Sequence, residues 1–159
     1  MIDRLLPHRF DNTYDGRRLA LWLFGLVVLM KIAMSLNSIF NSYVVVTSAD
    51  GIPLDTFPAA AAQTIVSLFA LLGLATFMIC LLGVLALVRY RRMIPFLFVL
   101  LLLQFVGGRL ILHFLPVVRT GTPPGFYVNL ALLALMIAGL ALSLWRRGSV
   151  QEISEGSTP

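Results

Sequence analysis

Four long apolar runs, separated by short polar breaks, set the layout of this 159-residue chain. They cover about residues 19–46, 59–88, 93–115 and 126–145. A helix needs roughly 20 apolar residues to cross the ~30 Å hydrocarbon core of a bilayer, so each run predicts a transmembrane helix. The breaks are turn chemistry. Gly51, Pro53 and Pro58 punctuate TSADGIPLDTFP, Arg89-Tyr90-Arg91-Arg92 makes a tight basic turn, and PVVRTGTPPG is again rich in Pro and Gly. Pro95 falls in the first turn of the third run, where a missing N–H costs little. The pattern therefore predicts an all-α membrane protein, four transmembrane helices in an antiparallel bundle. Residues 19–145 form its single domain. Residues 1–18 form a cytoplasmic segment, either an interfacial helix or a tail, and residues 146–159 a flexible cytoplasmic tail. The first run would extend about 42 Å as a helix, so it must tilt or emerge into the outer interface.

Composition agrees with this layout. The chain is 59% hydrophobic and only 12% charged, against about 25% charged in soluble domains. The net charge of +5 changes the picture through its distribution. Arg4, Arg9, Arg17, Arg18, Arg89, Arg91, Arg92, Arg146 and Arg147 flank one side of the expected helices, whereas the two opposite loops hold Arg119 alone. That bias places both termini in the cytoplasm and leaves no reason to expect nucleic acid as a partner. A bacterial inner (plasma) membrane is the expected location. No cleavable leader is expected, because the first apolar run is too long for one and no A-x-A site follows it. Trp22, Tyr43, Tyr90, Tyr127 and Trp145 lie near run ends, as an interfacial aromatic belt would. Two stripes of small residues, Gly73/Thr76/Cys80/Gly83 and Ala131/Ala134/Ala138/Ala141, recur at helical spacing. They predict close helix packing inside the bundle, or a seam between copies.

Candidate chemistry rests on the few polar residues within the runs. Lys31 lies about 20 Å beyond Arg18 by helix rise, where a lysine costs roughly 2.5–3.5 kcal/mol on insertion scales. Its side chain leans toward the helix N-terminus, away from the nearer outer surface. No run contains Asp or Glu. Lys31 is therefore hydrated, uncharged, or completed by an anion from elsewhere: a lipid phosphate, a substrate or an acid of another subunit. Asn37, Gln63, Ser67, Thr76 and Gln104 are the neutral partners available. Ser35, Ser38 and Ser42 share the Lys31 stripe, and Asn37 and Asn41 share the next, as an outward-open pocket or an interfacial half-helix would require. In GGRLILH, Arg109 and His113 share one face. Gly107-Gly108 allows close backbone approach or a kink. The pair suggests an anion or head-group site, and Arg109 also lies within reach of Asp50 or Asp55 for a structural ion pair.

Other chemistries lack their residues. There is no HExxH or acid-rich cluster and no Gly-x-Ser-x-Gly elbow, so neither a bound metal nor a catalytic set is expected. Cys80 stands alone, without a CxxC pair for thiol exchange. His113 lacks the second intramembrane histidine of a bis-His haem site, and no cofactor is expected. The two acids of DGIPLD make a weak case for a cation. The function expected is that of a non-enzymatic accessory or assembly subunit contacting a larger membrane complex, lipids or further copies of itself. The candidate ligand- or partner-binding residues are Lys31, Asn37, Asn41, Gln104, Arg109 and His113. One alternative is small-molecule or anion binding and transport through a cavity between helices one and three. Another is a small enzyme acting on a lipid or quinone.

Overall fold

A computed structural model describes residues 18–122 and 124–145. The expected interfacial segment and C-terminal tail lie outside these residues, apart from Arg18. Four long helices dominate: α1 (Arg18–Phe40), α2 (Ala59–Arg89), α3 (Ile94–Phe114) and α4 (Pro124–Leu144). All are long and apolar enough to span a membrane, yet less than a third of each helix's apolar window is buried within the fold. Most of their apolar surface faces outward, which in water would forfeit the main driving force for folding and in lipid costs nothing.

Glycine and serine set the packing of α1 on α2. A Cβ at Gly83 would stand 3.0 Å from Val28, and one at Gly73 would stand 2.8 Å from Ser38. Leu87 reaches Gly25. Residue numbers thus rise along α1 as they fall along α2. Gly73, Cys80 and Gly83 are all buried, so the small-residue stripe of the second run lies inside, as its spacing suggests. α1 also packs along α4, and α3 packs chiefly on α4. The joint is Phe98 of α3, fully buried, edge-on to Phe24 of α1 with ring centroids 4.9 Å apart. Its ring occupies the space that a side chain at Gly139 would need.

The second stripe lies on the outside of the fold, against its reading as bundle interior and not against a seam between copies. Ala131, Ala134, Ala138 and Ala141 are exposed on the outside of α4, while Leu132, Met136, Gly139 and Ser143 face inward. The inward face is chosen by the one glycine that admits Phe98, so the alanines are turned away. Gly107 and Gly108 also differ from expectation: a Cβ on either would meet nothing within 4 Å. The close approaches at this end belong to Gly125, where a Cβ would stand 2.6 Å from the Ala49 carbonyl oxygen.

α1 is shorter than the first apolar run. Its regular helix stops at Phe40, Asn41 leaves helical geometry (φ −124°, ψ 37°), and one α turn (Ser42–Val44) and one π turn (Val45–Ala49) follow. The Ser42 hydroxyl donates to the carbonyls of Ser38 (2.6 Å) and Ile39 (3.3 Å), a local back-bonding that bends helices. Beyond the bend, Val46, Ile52 and Leu54 bury themselves against Ile65, Val66 and Phe69 of α2. This small second core fixes the 47–58 loop. The 115–122 loop is tied to it at Gly51 (φ +69°), whose carbonyl accepts from both the Thr120 amide (2.8 Å) and the Thr120 hydroxyl (3.1 Å).

Candidate functional site

Lys31 is half-buried on α1, whose packed face meets α2. Among the described residues its amine makes no hydrogen bond or ion pair. Several of the neutral partners that the sequence offered are engaged elsewhere. Asn37 accepts from Asn41 (3.0 Å) on the exposed side of α1. Ser67 donates to the Gln63 carbonyl (2.9 Å), and the Thr76 hydroxyl donates to Leu72 (3.0 Å). Ser35 sits beside Lys31 in sequence but its hydroxyl donates to the Lys31 backbone carbonyl (2.7 Å).

The serine stripe therefore does not line a pocket. Ser35 and Ser42 are buried and satisfied by their own helix, and Ser35 and Ser38 are the surface on which Gly73 rests. Their small size, rather than their polarity, serves the packing. Asn37 and Asn41 form a separate exposed pair. Gln104 of α3 reaches α2 by donating to the Thr76 hydroxyl (3.2 Å), and its own carbonyl oxygen is buried with no partner. Thr76 is one turn from Cys80 on the same face of α2. Thr76 thus joins Gln104 of α3 to the face of α2 that carries Cys80.

A second constellation sits where the two loops meet. The Arg109 guanidinium lies between two rings, 5.5 Å from the centroid of Phe105 on α3 and 5.1 Å from that of Phe126 on α4. Asp50 lies close enough for both Arg119 and Arg109 to act on it. Burial pushes the Asp50 carboxyl above the usual carboxylate range, and the guanidiniums of Arg119 and then Arg109 pull it part of the way back. Arg119 is placed by its neighbour Thr120, and Asp50 by its neighbour Gly51, the two residues that join the loops. His113 is exposed, with its ring edge-on to Phe114 at 5.5 Å. The helical spacing nominates His113 as the companion of Arg109. The folded loop brings Arg119 into play instead, and the chain's only advance sign of it was a lone arginine in the outer loops.

Arg109 and Lys31 have different surroundings: one is set among Phe105, Phe126 and Asp50, the other lies on α1, whose packed face meets α2. Among the described residues, no group of three or more His, Cys, Asp or Glu comes together. No protein-family model, curated protein or solved structure matches the chain.

Proposed function

We propose that this chain is a non-enzymatic protein of a bacterial inner membrane, an antiparallel four-helix bundle with both termini cytoplasmic. In this reading it serves as an accessory or assembly subunit of a larger membrane complex. The orientation draws on the arginine bias, and the helix order on the α1–α2, α1–α4 and α3–α4 contacts. The observation that carries the function is Lys31: a half-buried cation at mid-helix with no partner among the described residues. An ion left so in lipid carries a cost of several kcal/mol at most depths, and a carboxylate or phosphate supplied from outside the chain removes it. The exposed Asn37–Asn41 pair and the exposed alanine face of α4 offer further surface for a helix-to-helix contact.

The test is mass spectrometry of the complex extracted in mild detergent, with wild type beside Lys31→Leu. The expected outcome is a stoichiometric partner on wild type that falls at least about tenfold on the variant, a difference near 1.4 kcal/mol. Unchanged retention, with equal or better thermal stability, would mean that Lys31 is hydrated and dispensable. A second reading, small-molecule binding, is favoured by the buried and unpartnered Gln104 carbonyl oxygen. It requires that Gln104→Leu, rather than Lys31→Leu alone, release a co-purifying small molecule.

A further inference from the structure

The loop junction holds two guanidiniums and one carboxylate, with no hydrogen bond or ion pair among them closer than 4.0 Å. Arg109 carries five N–H donors in a fixed plane. The Phe105 and Phe126 rings flank the guanidinium at 5.5 and 5.1 Å, and it has no acceptor among the described residues. Arg119 is likewise without an acceptor, and Thr120 and Gly51 hold it in the same loop junction. The local charge is one positive unit in excess. A structural ion pair would bring the Asp50 carboxylate onto one fork of a guanidinium at about 2.7–2.9 Å. Here the three groups stand apart.

A guanidinium flanked by aromatic rings and without an internal acceptor suits a planar or tetrahedral oxyanion, above all a phosphate, which takes two parallel N–H bonds from one guanidinium. The surroundings add a second element: Arg109 lies near the end of α3, and Asp50 and Arg119 lie in the loops beyond the helix ends, the level at which a bilayer carries its head groups.

We propose that Arg109 and Arg119, walled by Phe105 and Phe126, bind a phosphate-type oxyanion, and that Asp50 is the internal anion it displaces. The phosphate of a phospholipid head group and free inorganic phosphate share this chemistry. The placement of the junction at head-group level favours the first. Asp50 then competes: while it is charged it satisfies part of the field of both arginines, and its removal strengthens binding. The proposal is independent of the partner reading, because it turns on Arg109 whereas the partner turns on Lys31.

The experiment uses the full chain in nanodiscs, scored by native mass spectrometry after graded delipidation. Phosphatidylglycerol is compared with a galactolipid of matched acyl chains, which lacks phosphate. In parallel, inorganic phosphate is titrated and followed by phosphorus NMR. Wild type should retain phosphatidylglycerol over the galactolipid. Arg109→Gln should lower that retention by about tenfold, the scale of one charge-assisted bidentate contact. Arg109→Lys, which keeps the charge but loses the fork, should also retain less than wild type. Asp50→Asn, which removes the competing negative charge, should retain more. Retention of lipid without a phosphate signal assigns the site to the head group. A phosphate signal lost in Arg109→Gln, without lipid preference, assigns it to the free anion. The proposal is overturned if neither signal depends on Arg109. It is equally overturned if Asp50→Asn and Arg109→Gln both simply lower the melting temperature and leave retention unchanged, as partners of a structural ion pair would.

Discussion

Asp50 shows how a single residue reports on its setting. Its carboxyl is held above the ordinary range because burial outweighs the pull of Arg119 and Arg109. The folded chain therefore holds this proton more tightly than the unfolded chain does. Between the ordinary value near 3.9 and the raised folded value, the folded state carries the extra proton, and stability falls as pH rises through that window. Asp50→Asn removes the penalty. It should raise the thermal midpoint at neutral pH by about 2 °C or more, with the gain shrinking as pH falls through the window. Intrinsic fluorescence of Trp22 and Trp145 can follow the melt in detergent. A gain of equal size at every pH would show that charge is not its cause. At this scale the sequence was informative about what was missing: no run holds a carboxylate for Lys31, and the folded chain supplies no partner among the described residues. The serines were harder to read. Offsets of four and seven put Ser35, Ser38 and Ser42 on one stripe, but spacing does not reveal that Ser35 and Ser42 bond their own backbone.

Among the helices, the decisive contact is Phe98 in the notch at Gly139. A methyl group there meets the Phe98 ring, and overpacking of this kind costs roughly 1–3 kcal/mol. Gly139→Ala should lose about that much in a denaturation midpoint. Phe98→Leu should be destabilising alone yet recover part of the loss in combination, since the two sites share one space. If Phe98→Leu and Gly139→Ala simply add, the notch is not what joins α3 to α4. The presence of four helices, and the approximate ends of α2, α3 and α4, were legible because those runs are long and bounded by arginine or proline. The inward face of α4 was not. Alanines at helical spacing look the same whether they line a core or its outside, and the choice was made by one glycine facing a phenylalanine on another helix. The end of α1 was also hidden, since nothing in the hydropathy of LNSIFNSYVVV marks the Ser42 hydroxyl bonding back to Ser38.

For the whole molecule, the tie between Gly51 and Thr120 joins the 47–58 and 115–122 loops at one end of the fold. In the proposed orientation that end is periplasmic. In a Cys80→Ala background, Ser48→Cys and Thr122→Cys should both react with a membrane-impermeant maleimide applied to intact cells. Ser149→Cys should react only after permeabilisation. Labelling of all three from outside, or of the two loops from opposite sides, would contradict the orientation. The proposed sidedness rests on the arginine bias, while the order of neighbours was not legible, because short loops permit more than one arrangement of four helices. That order carries a consequence for biogenesis. α4 is the last of the four helices to be synthesised, yet α1 and α3 both pack on it, and Gly125 at its start seats the Ala49 carbonyl. Until α4 is made, Phe98 lacks its notch at Gly139 and the Ala49 carbonyl lacks its seat at Gly125. A factor attending insertion at that stage would meet the faces of α1 and α3 that α4 later covers.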